Sequence, residues 1–410
     1  MLSLPAIETL VPCDADGVKV FHSTSTKLVK LDLMFEAGSA YQPKKLCASA
    51  AAKLFPVAAP AMDSAALSEF MDYRGILIET DCQVQQSMIT FYFLRQYADE
   101  LLPVVSSLFR GPSFSTSDFE AWKKQRRQEI MASMQKPSSV ARRDFYKSLF
   151  GEGHPLGRYA TDNDVDALSA EDVCKYIRER YAIDKMSVVV AGAADDALLA
   201  LIARYIQAGE VYSDNRQPLP NTDIAAPISI HTPLANATQT SIRIGRILPL
   251  PWDNKDYAGI MLLATVLGGY FGSRLMSNLR EEKGYTYGIY ARTQLYRGLI
   301  VFYVTADVAA DVASAAVDEV RKELDRLSEK PIPDDELQLV KTVMTGDFLR
   351  SVDGIFERSA RYCDMYATSV TEQLTDNLRF VLSTATPQYL QSLAQKYLMS
   401  DKMIVCTAGV

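Results

Sequence analysis

An arginine and a tyrosine seven positions apart offer the clearest candidate chemistry in this chain. Residues 271–291 read FGSRLMSNLREEKGYTYGIYA, with Arg280 in a part of helical spacing and Tyr287 in a part rich in tyrosine. A guanidinium is a permanently charged, forked donor, and a phenol is a donor on a stiff ring. Two such donors, held where negative charge develops on an oxygen, can stabilise the transition state of a hydrolytic reaction.

The elements around this pair are predicted to bring it together. Leu275 and Leu279 are one helical turn apart, so they predict a buried helix face with Arg280 on a different face. Gly284 is predicted to end the helix in the left-handed conformation, after which Tyr287 returns on a strand beside the helix. A purely structural interpretation is also open. The charged run REEK can form an exposed, ion-paired helix end, and the tyrosines can be ordinary strand residues.

The chain contains an internal repeat. Residues 168–193 align with residues 385–410, and in both an N-cap residue, Ser169 or Thr386, precedes an amphipathic helix and an apolar strand. A weaker match relates helix, glycine and strand in 67–83 to the same pattern in 276–292. We therefore predict an α+β protein with two homologous domains, at 1–205 and 231–410, joined by a linker at 206–230.

Composition excludes several classes of protein. The chain has 410 residues, 48% of them hydrophobic, and its net charge of −7 argues against sequence-independent binding to nucleic acid. The N-terminal sequence lacks the basic region of a secretion signal, and no apolar run approaches the roughly 18 residues of a membrane helix. The six scattered cysteines predict reduced thiols in a cytoplasmic protein that does not bind membranes, although their even number leaves a disulfide framework open.

Three segments in order resemble one known family. They are FEAGSAYQP at 35–43, the segment from GHPLG to VVVAGA at 153–193, and LGGYFGSRLMSNLREEKGYTYGIYA at 267–291. Together they resemble the pitrilysin/insulinase family of inverted zinc peptidases, above all its two-domain subunits such as those of mitochondrial processing peptidase. The resemblance implies the LuxS/processing-peptidase-like fold, in which each domain is a mainly antiparallel sheet packed against helices and two subunits form a clamshell. It also implies that Arg280 and Tyr287 bind the substrate carbonyl group.

The zinc site of that family is degenerate in this sequence. The family has H-x-x-E-H on its first helix and a glutamate on a later helix as third ligand. Our alignment places Ala48, Ala51 and Ala52 at the His, Glu and His positions, and Glu129 at the third-ligand position. Because a catalytic zinc site needs about three protein ligands, a lone carboxylate cannot form one. We therefore predict no metal in this chain, with Glu129 a solvated or ion-paired residue of a charged helix.

The other candidate ligands do not repair this site. The chain has only three histidines, and none has a second histidine or a cysteine at metal-ligand spacing: His22, His154 and His231. His154, in the sequence GHPLG, is predicted to be a turn residue.

This chain resembles one subunit of the half-enzymes of this family, because it keeps the Arg/Tyr pair and lacks the zinc ligands. The resemblance implies a non-catalytic, substrate-binding subunit of a heterodimeric zinc endopeptidase that acts on peptides or unfolded segments. The homologous partner would carry zinc, and the isolated chain could form a homodimer that imitates the natural pair. Two alternatives stay open. The chain could be an inert structural or interaction protein, or an unrelated hydrolase, although it lacks the G-x-S-x-G, G-x-x-x-x-G-K-[ST] and G-x-G-x-x-G motifs.

Overall fold

The computed structural model describes residues 4–6, 10–58, 62–111, 114–206, 218–220 and 222–410. The strands are β1 (Cys13–Ala15), β2 (Val18–His22), β3 (Leu28–Phe35), β4 (Leu77–Cys82), β5 (Ser87–Leu94), β6 (Met186–Gly192), β7 (Ser229–Pro233), β8 (Gln239–Leu248), β9 (Thr286–Tyr296), β10 (Leu299–Ala309) and β11 (Ile404–Gly409). The helices are α1 (Cys47–Leu54), α2 (Ser64–Arg74), α3 (Ala98–Ser107), α4 (Thr116–Met134), α5 (Pro137–Phe150), α6 (Asp162–Ala167), α7 (Ala170–Arg180), α8 (Asp196–Tyr205), α9 (Lys255–Gly268), α10 (Ala313–Glu329), α11 (Asp334–Arg350), α12 (Ile355–Thr368), α13 (Gln373–Thr384) and α14 (Pro387–Tyr397).

Two sheets share one plan. The first has the strand order β1-β2-β6-β3-β5-β4, and the second has the order β7-β11-β8-β10-β9. Each contains one parallel pair, β2 with β6 and β7 with β11, and its other neighbours are antiparallel. The predicted α+β class with two mainly antiparallel sheets is confirmed.

The repeated units begin and end at the predicted residues. The Ser169 hydroxyl accepts a hydrogen bond from the Asp172 N–H at 3.2 Å, and the Thr386 hydroxyl accepts one from the Tyr389 N–H at 3.2 Å. The helices that these caps begin, α7 and α14, lead into the interior strands β6 and β11. The local signals in the two repeats therefore produce equivalent structure.

Each half of the chain contributes one helix that packs on the sheet of the other half. Helix α5, from the N-terminal half, packs on β8 and β11 of the second sheet, whereas α12, from the C-terminal half, packs on β2 and β6 of the first sheet. Apolar side chains bury both contacts, Phe145 and Leu149 against Ile247 and Val301 in one, and Cys363 and Tyr366 against Phe21 and Val189 in the other. Each sheet thus depends on the opposite half to cover one of its faces.

The predicted linker falls largely on residues that are not described. Within 206–230, residues 207–217 and 221 lie outside the described ranges, and β7 begins at Ser229. The domain limits at 1–205 and 231–410 therefore stay a prediction.

The sequence also predicts reduced cysteines and no membrane-spanning helix. All six cysteines are free, and Cys47, Cys363 and Cys406 are buried. Over the ranges given above, no helix combines the length and the apolar character needed to cross a membrane.

Candidate functional site

Arg280 lies on a π-helical turn rather than on the ordinary α-helix that its spacing suggests. This turn spans Met276–Glu282, where the Lys283 N–H donates to the Asn278 carbonyl five residues back at 3.1 Å. Leu275 and Leu279 are fully buried, as predicted. Arg280 is half-buried, and its guanidinium lies over the Phe271 ring, 4.8 Å from the centroid. Single π-helical turns are rare and are frequent at functional sites.

A glycine reverses the chain after this turn. Gly284 has φ +67°, the left-handed conformation that its C-terminal position was predicted to need. The Tyr285 N–H then donates to the Leu279 carbonyl at 2.8 Å, which closes the helix end. Strand β9 begins at the next residue, so Tyr287 stands close along the chain to the turn that carries Arg280.

A β-bulge sets the position of Tyr287. Thr286 pairs with Val308 and Ile289 pairs with Ala306, so Tyr287 and Gly288 together oppose a single residue of β10. The Thr286 hydroxyl supports the bulge, because it lies 2.7 Å from the Asp307 carbonyl oxygen and accepts a hydrogen bond from the Gly288 N–H at 3.1 Å. Bulges commonly redirect a side chain at a sheet edge. The Tyr287 side chain is 89% exposed.

The charged run beside Arg280 is only partly used for ion pairing. Lys283 pairs with Glu319 at 3.1 Å, and side-chain hydrogen bonds from Lys322, Asn278 and Lys283 lower the pKa of Glu319 to about 2. Arg280, by contrast, forms no ion pair with any residue of the described ranges. The ion-paired interpretation therefore holds for Lys283, and the Arg280 guanidinium keeps its polar donors available.

Buried alanines occupy the helix that the alignment predicts to be a degenerate zinc helix, α1. Ala48 and Ala51 are fully buried and Ala52 is 3% exposed, on a helix that lies against α7, β4 and β5. The helix starts after Leu46, which has φ +74°, and the Gln42 side chain accepts a hydrogen bond from the Ala48 N–H at 3.2 Å. A methyl group offers no lone pair, so these positions contribute contacts to the core and no metal ligand.

Glu129 forms its hydrogen bonds with neighbours on its own helix, α4. Its carboxylate accepts hydrogen bonds from Gln125 Nε2 and Arg126 Nη1, both at 2.9 Å, and its side chain is 46% exposed. No group of three or more His, Cys, Asp or Glu side chains with metal-holding geometry occurs in the part of the chain that the structure describes.

His154 is a turn residue, as its sequence predicts. Its Nδ1 accepts a hydrogen bond from the Leu156 N–H at 3.1 Å, and its Nε2 lies 3.1 Å from the Pro220 carbonyl oxygen. The ring stacks on Phe150 with centroids 4.7 Å apart. Burial lowers the pKa of His154, so the fold holds the neutral ring.

Some features of the Arg/Tyr site were not found by sequence reasoning. Phe271, which supports the Arg280 guanidinium, lies nine positions earlier, a separation with no helical periodicity. The bulge had a weak signal, since a glycine inside a strand pattern often marks one, and Gly288 follows Tyr287 directly.

Comparison with known proteins shows which family one part of the chain is similar to. Residues 167–344 match the model of the family described as "Peptidase M16 inactive domain". The curated relatives include the "Non-peptidase homolog YmxG" of Helicobacter pylori, 23% identical over 68% of this chain and 65% of the relative. An uncharacterized zinc protease of Streptomyces coelicolor is 26% identical over 60% of this chain and 56% of the relative. The chain thus spans less than two thirds of the length of these relatives.

Solved structures agree on the fold over almost the whole chain. The peptidase M16 inactive domain from Pseudomonas fluorescens superposes with a TM-score of 0.84 at 20% identity, over 97% of both chains. A protease from Helicobacter pylori gives a TM-score of 0.81 at 14% identity, over 96% of this chain and 97% of the other. The fold is therefore that of M16-like peptidases. The match of residues 167–344 to the M16 inactive domain, together with the M16-like fold, confirms the resemblance to the pitrilysin/insulinase peptidases.

Proposed function

We propose that this chain is the non-catalytic, substrate-binding subunit of a heterodimeric zinc endopeptidase. A homologous partner supplies H-x-x-E-H and the zinc ion, and this chain, which binds no metal itself, supplies Arg280 and Tyr287 to the substrate carbonyl oxygen. The observation that carries the proposal is the pair itself. Arg280 has no carboxylate partner in the described ranges, and Tyr287 is 89% exposed on a bulge one short turn away.

Unpaired hydrogen-bond donors matter because they can stabilise the negative charge that develops on the substrate carbonyl oxygen during hydrolysis. A guanidinium already paired with a carboxylate would offer less to an oxyanion, whereas stacking on Phe271 orients Arg280 without consuming its N–H groups. Removing one preorganised oxyanion donor typically lowers kcat about 100- to 1000-fold.

The substrate class follows from the sheet edges. Strands β4 and β9 each lie at one end of their sheet, opposite β1 and β7, and both have one edge without a neighbouring strand among the described residues. An extended peptide can add to such an edge through backbone hydrogen bonds. Peptides and unfolded segments are therefore the substrates of the proposed complex.

Reconstitution tests this proposal. This chain is mixed with a homologous chain that carries H-x-x-E-H, and zinc-dependent cleavage of an unfolded peptide is measured. Arg280→Ala and Tyr287→Phe are each expected to lower kcat about 100- to 1000-fold without preventing complex formation. The matched controls are Arg326→Ala and Tyr73→Phe, which change exposed residues outside β9 and are expected to leave kcat unchanged. Full activity of the Arg280→Ala/Tyr287→Phe complex contradicts the proposed role.

One observation favours a second candidate. The close packing of Ala48, Ala51 and Ala52 fits an inert structural or interaction homologue equally well. In that case the mixed complex forms but cleaves no peptide, and Arg280 and Tyr287 have no role. The size of the purified chain in solution shows in addition whether it forms the expected homodimer.

A further inference from the structure

Two arginines project from one face of the second sheet. Arg243 on β8 stands opposite Thr305 on β10, and two residues along β10 Tyr303 stands opposite Arg292 on β9. Directly opposed residues project from the same side of a sheet, so Arg243 and Arg292 share a face. Val304, between Tyr303 and Thr305, points to the other face, into the core that α9 and α10 cover. Strand and residue spacings place the Cα atoms of the two arginines about 12 Å apart, so both side chains can reach one peptide segment.

Aromatic rings support these two arginines. The Arg243 guanidinium lies over the Tyr303 ring, 4.7 Å from its centroid, and the Arg292 guanidinium lies over the Tyr290 ring at 5.5 Å. Neither guanidinium forms an ion pair with a residue that the structure describes. Stacking on a ring orients a guanidinium and leaves its N–H groups available to an anion.

Helix α5 adds a third positive charge beside this face. Arg142 is an exposed residue of α5, which packs on β8. Burial lowers the pKa of Arg243, and the positive charge of nearby Arg142 lowers it as well. An anion bound between these two side chains would relieve both effects, because it stabilises the charged form of each.

Few carboxylates oppose this positive charge. Helix α5 and the five strands of the sheet contain two acidic residues, Asp144 and Asp307. Asp144 already pairs with Arg143 at 3.2 Å and accepts a hydrogen bond from the Thr232 hydroxyl at 2.6 Å. Asp307 is exposed near the end of β10. Three arginines against this one carboxylate leave the face with an excess of positive charge.

We propose that Arg142, Arg243 and Arg292, here called the basic face, bind acidic side chains of the substrate, an inference that rests on the proposed function for the presence of a peptide at β9. Guanidinium groups bind carboxylates through paired, charge-assisted hydrogen bonds. Arg292 lies five positions after Tyr287 on β9, about 17 Å along an extended strand. The acidic side chain therefore lies beyond the carbonyl group that Tyr287 binds, and the basic face selects acidic segments over neutral ones.

A nucleic acid is the other polyanion that an arginine cluster could bind. It carries a negative charge at every nucleotide, so the net charge of −7 on this chain repels the parts that extend beyond the basic face. A peptide with separated acidic side chains places its charges only where the arginines stand. The peptide is therefore the ligand that the charge distribution favours.

Two peptides test the inference on the isolated chain, without a zinc-bearing partner. One alternates glutamate and serine, the other has glutamine in place of each glutamate, and both have blocked ends and an uncharged fluorophore. Fluorescence anisotropy at low salt is expected to show about tenfold tighter binding of the glutamate peptide. The net charge of the chain alone would favour the glutamine peptide, so this preference indicates a local basic site. No saturable binding of the glutamate peptide, or equal binding of both peptides, overturns the proposal.

Variants assign the preference to the basic face. Arg292→Gln breaks no ion pair of the described residues and is expected to weaken binding of the glutamate peptide about three- to tenfold, with no change for the glutamine peptide. Arg326→Gln is the matched control, because it removes the same charge from an exposed position of α10, on the opposite face of the sheet. Equal losses for the two variants contradict the basic face. Half-buried Arg243→Gln is a further variant, and if it fails to fold, Arg292→Gln still decides the proposal.

Two further comparisons separate this inference from its alternatives. An oligothymidylate with the same charge as the glutamate peptide is expected to bind more weakly, and binding as tight as that of the peptide overturns the proposal in favour of a general polyanion site. The anisotropy measurements need no cleavage. A glutamate preference without activity in the reconstituted complex therefore contradicts only the proposed function, whereas activity without a glutamate preference contradicts only the basic face.

Discussion

Neighbouring side chains decide how each charged or titratable residue can be used. The alignment predicts Glu129 at the position of a zinc ligand, yet its carboxylate accepts hydrogen bonds from Gln125 and Arg126. Arg280 lies in a run of charges, yet it has only an aromatic ring beneath it. The residue type alone supports either role in both cases. The local partners make Glu129 a surface ion-pair member and leave Arg280 available to a ligand.

His154 is expected to make stability depend on pH. Its pKa is lowered from 6.5 by burial, so the unfolded chain takes up a proton at a higher pH than the folded chain does. Its contribution to stability is therefore complete above about pH 6.5 and is lost as pH falls through the lower pKa of the folded state. Urea unfolding of the original chain and of His154→Gln, measured from neutral to mildly acidic pH, checks this. The variant is expected to lose less stability on acidification, while exposed His22→Gln behaves like the original chain. Parallel pH profiles for all three proteins would show that His154 is not the source.

At the scale of secondary-structure elements, the helix–glycine–strand motif occurs twice in the fold. Gly75 follows α2 with φ +62°, and Gly284 follows the π-helical turn with φ +67°. At both positions a Cβ atom would meet nothing within 4 Å, so only the backbone conformation demands glycine. The strands that follow the two glycines, β4 and β9, each lie at one end of their sheet. The second copy differs from the first in its π turn and its bulge, and these are the features that support Arg280 and Tyr287.

The two glycines form a matched pair for mutation. Gly75→Ala and Gly284→Ala are each expected to reduce the free energy of unfolding by about 1 kcal/mol, because a left-handed alanine is strained. Asparagine at either position is expected to cost less, since it tolerates that conformation. Thermal or urea unfolding measures both effects. A much larger loss for Gly284→Ala than for Gly75→Ala would mean that the π turn, and not the glycine conformation, determines the stability of that junction.

At the scale of the whole molecule, a buried ion pair and its hydrogen bonds connect the N-terminal half to helix α12 of the C-terminal half. Lys30 and Asp32 on β3 form an ion pair of 2.6 Å, with side chains only 5% and 0% exposed. Thr90 donates to Asp32 at 2.7 Å, and Lys30 lies 3.3 Å from the Ser359 hydroxyl on α12. Burial opposes the charge on Lys30, but Asp32 and its other neighbours outweigh this and raise the pKa of Lys30. The raised pKa favours the charged form of Lys30 where the two halves meet.

Breaking this pair from one side is expected to be costly. Asp32→Leu or Lys30→Met alone leaves an uncompensated buried charge and is expected to destabilise the chain by about 3–5 kcal/mol. The double variant Lys30→Met/Asp32→Leu is expected to cost much less than the sum of the single changes. Urea unfolding of the four proteins measures this coupling. As a control, Asp347→Asn disrupts the exposed pair with Arg350 and is expected to change stability by less than about 1 kcal/mol. Additive single changes at Lys30 and Asp32 would contradict the coupling.

Local signals determined much of this protein from sequence alone. The N-caps at Ser169 and Thr386, the left-handed glycines and the buried Leu275/Leu279 face depend on residues within a few positions of each other, so their hydrogen bonds and periodicity can be read directly. The prediction that Ala48, Ala51 and Ala52 hold no zinc is also local, because a methyl group offers no lone pair to a metal ion.

Only the tertiary structure decided how distant segments meet. The packing of α5 and α12 on the opposite sheets and the hydrogen bond between Gln85 and Arg297 arise from contacts between residues far apart in the chain. No periodicity in one segment encodes which other segment will cover it. Close packing of two whole sheets selects those contacts.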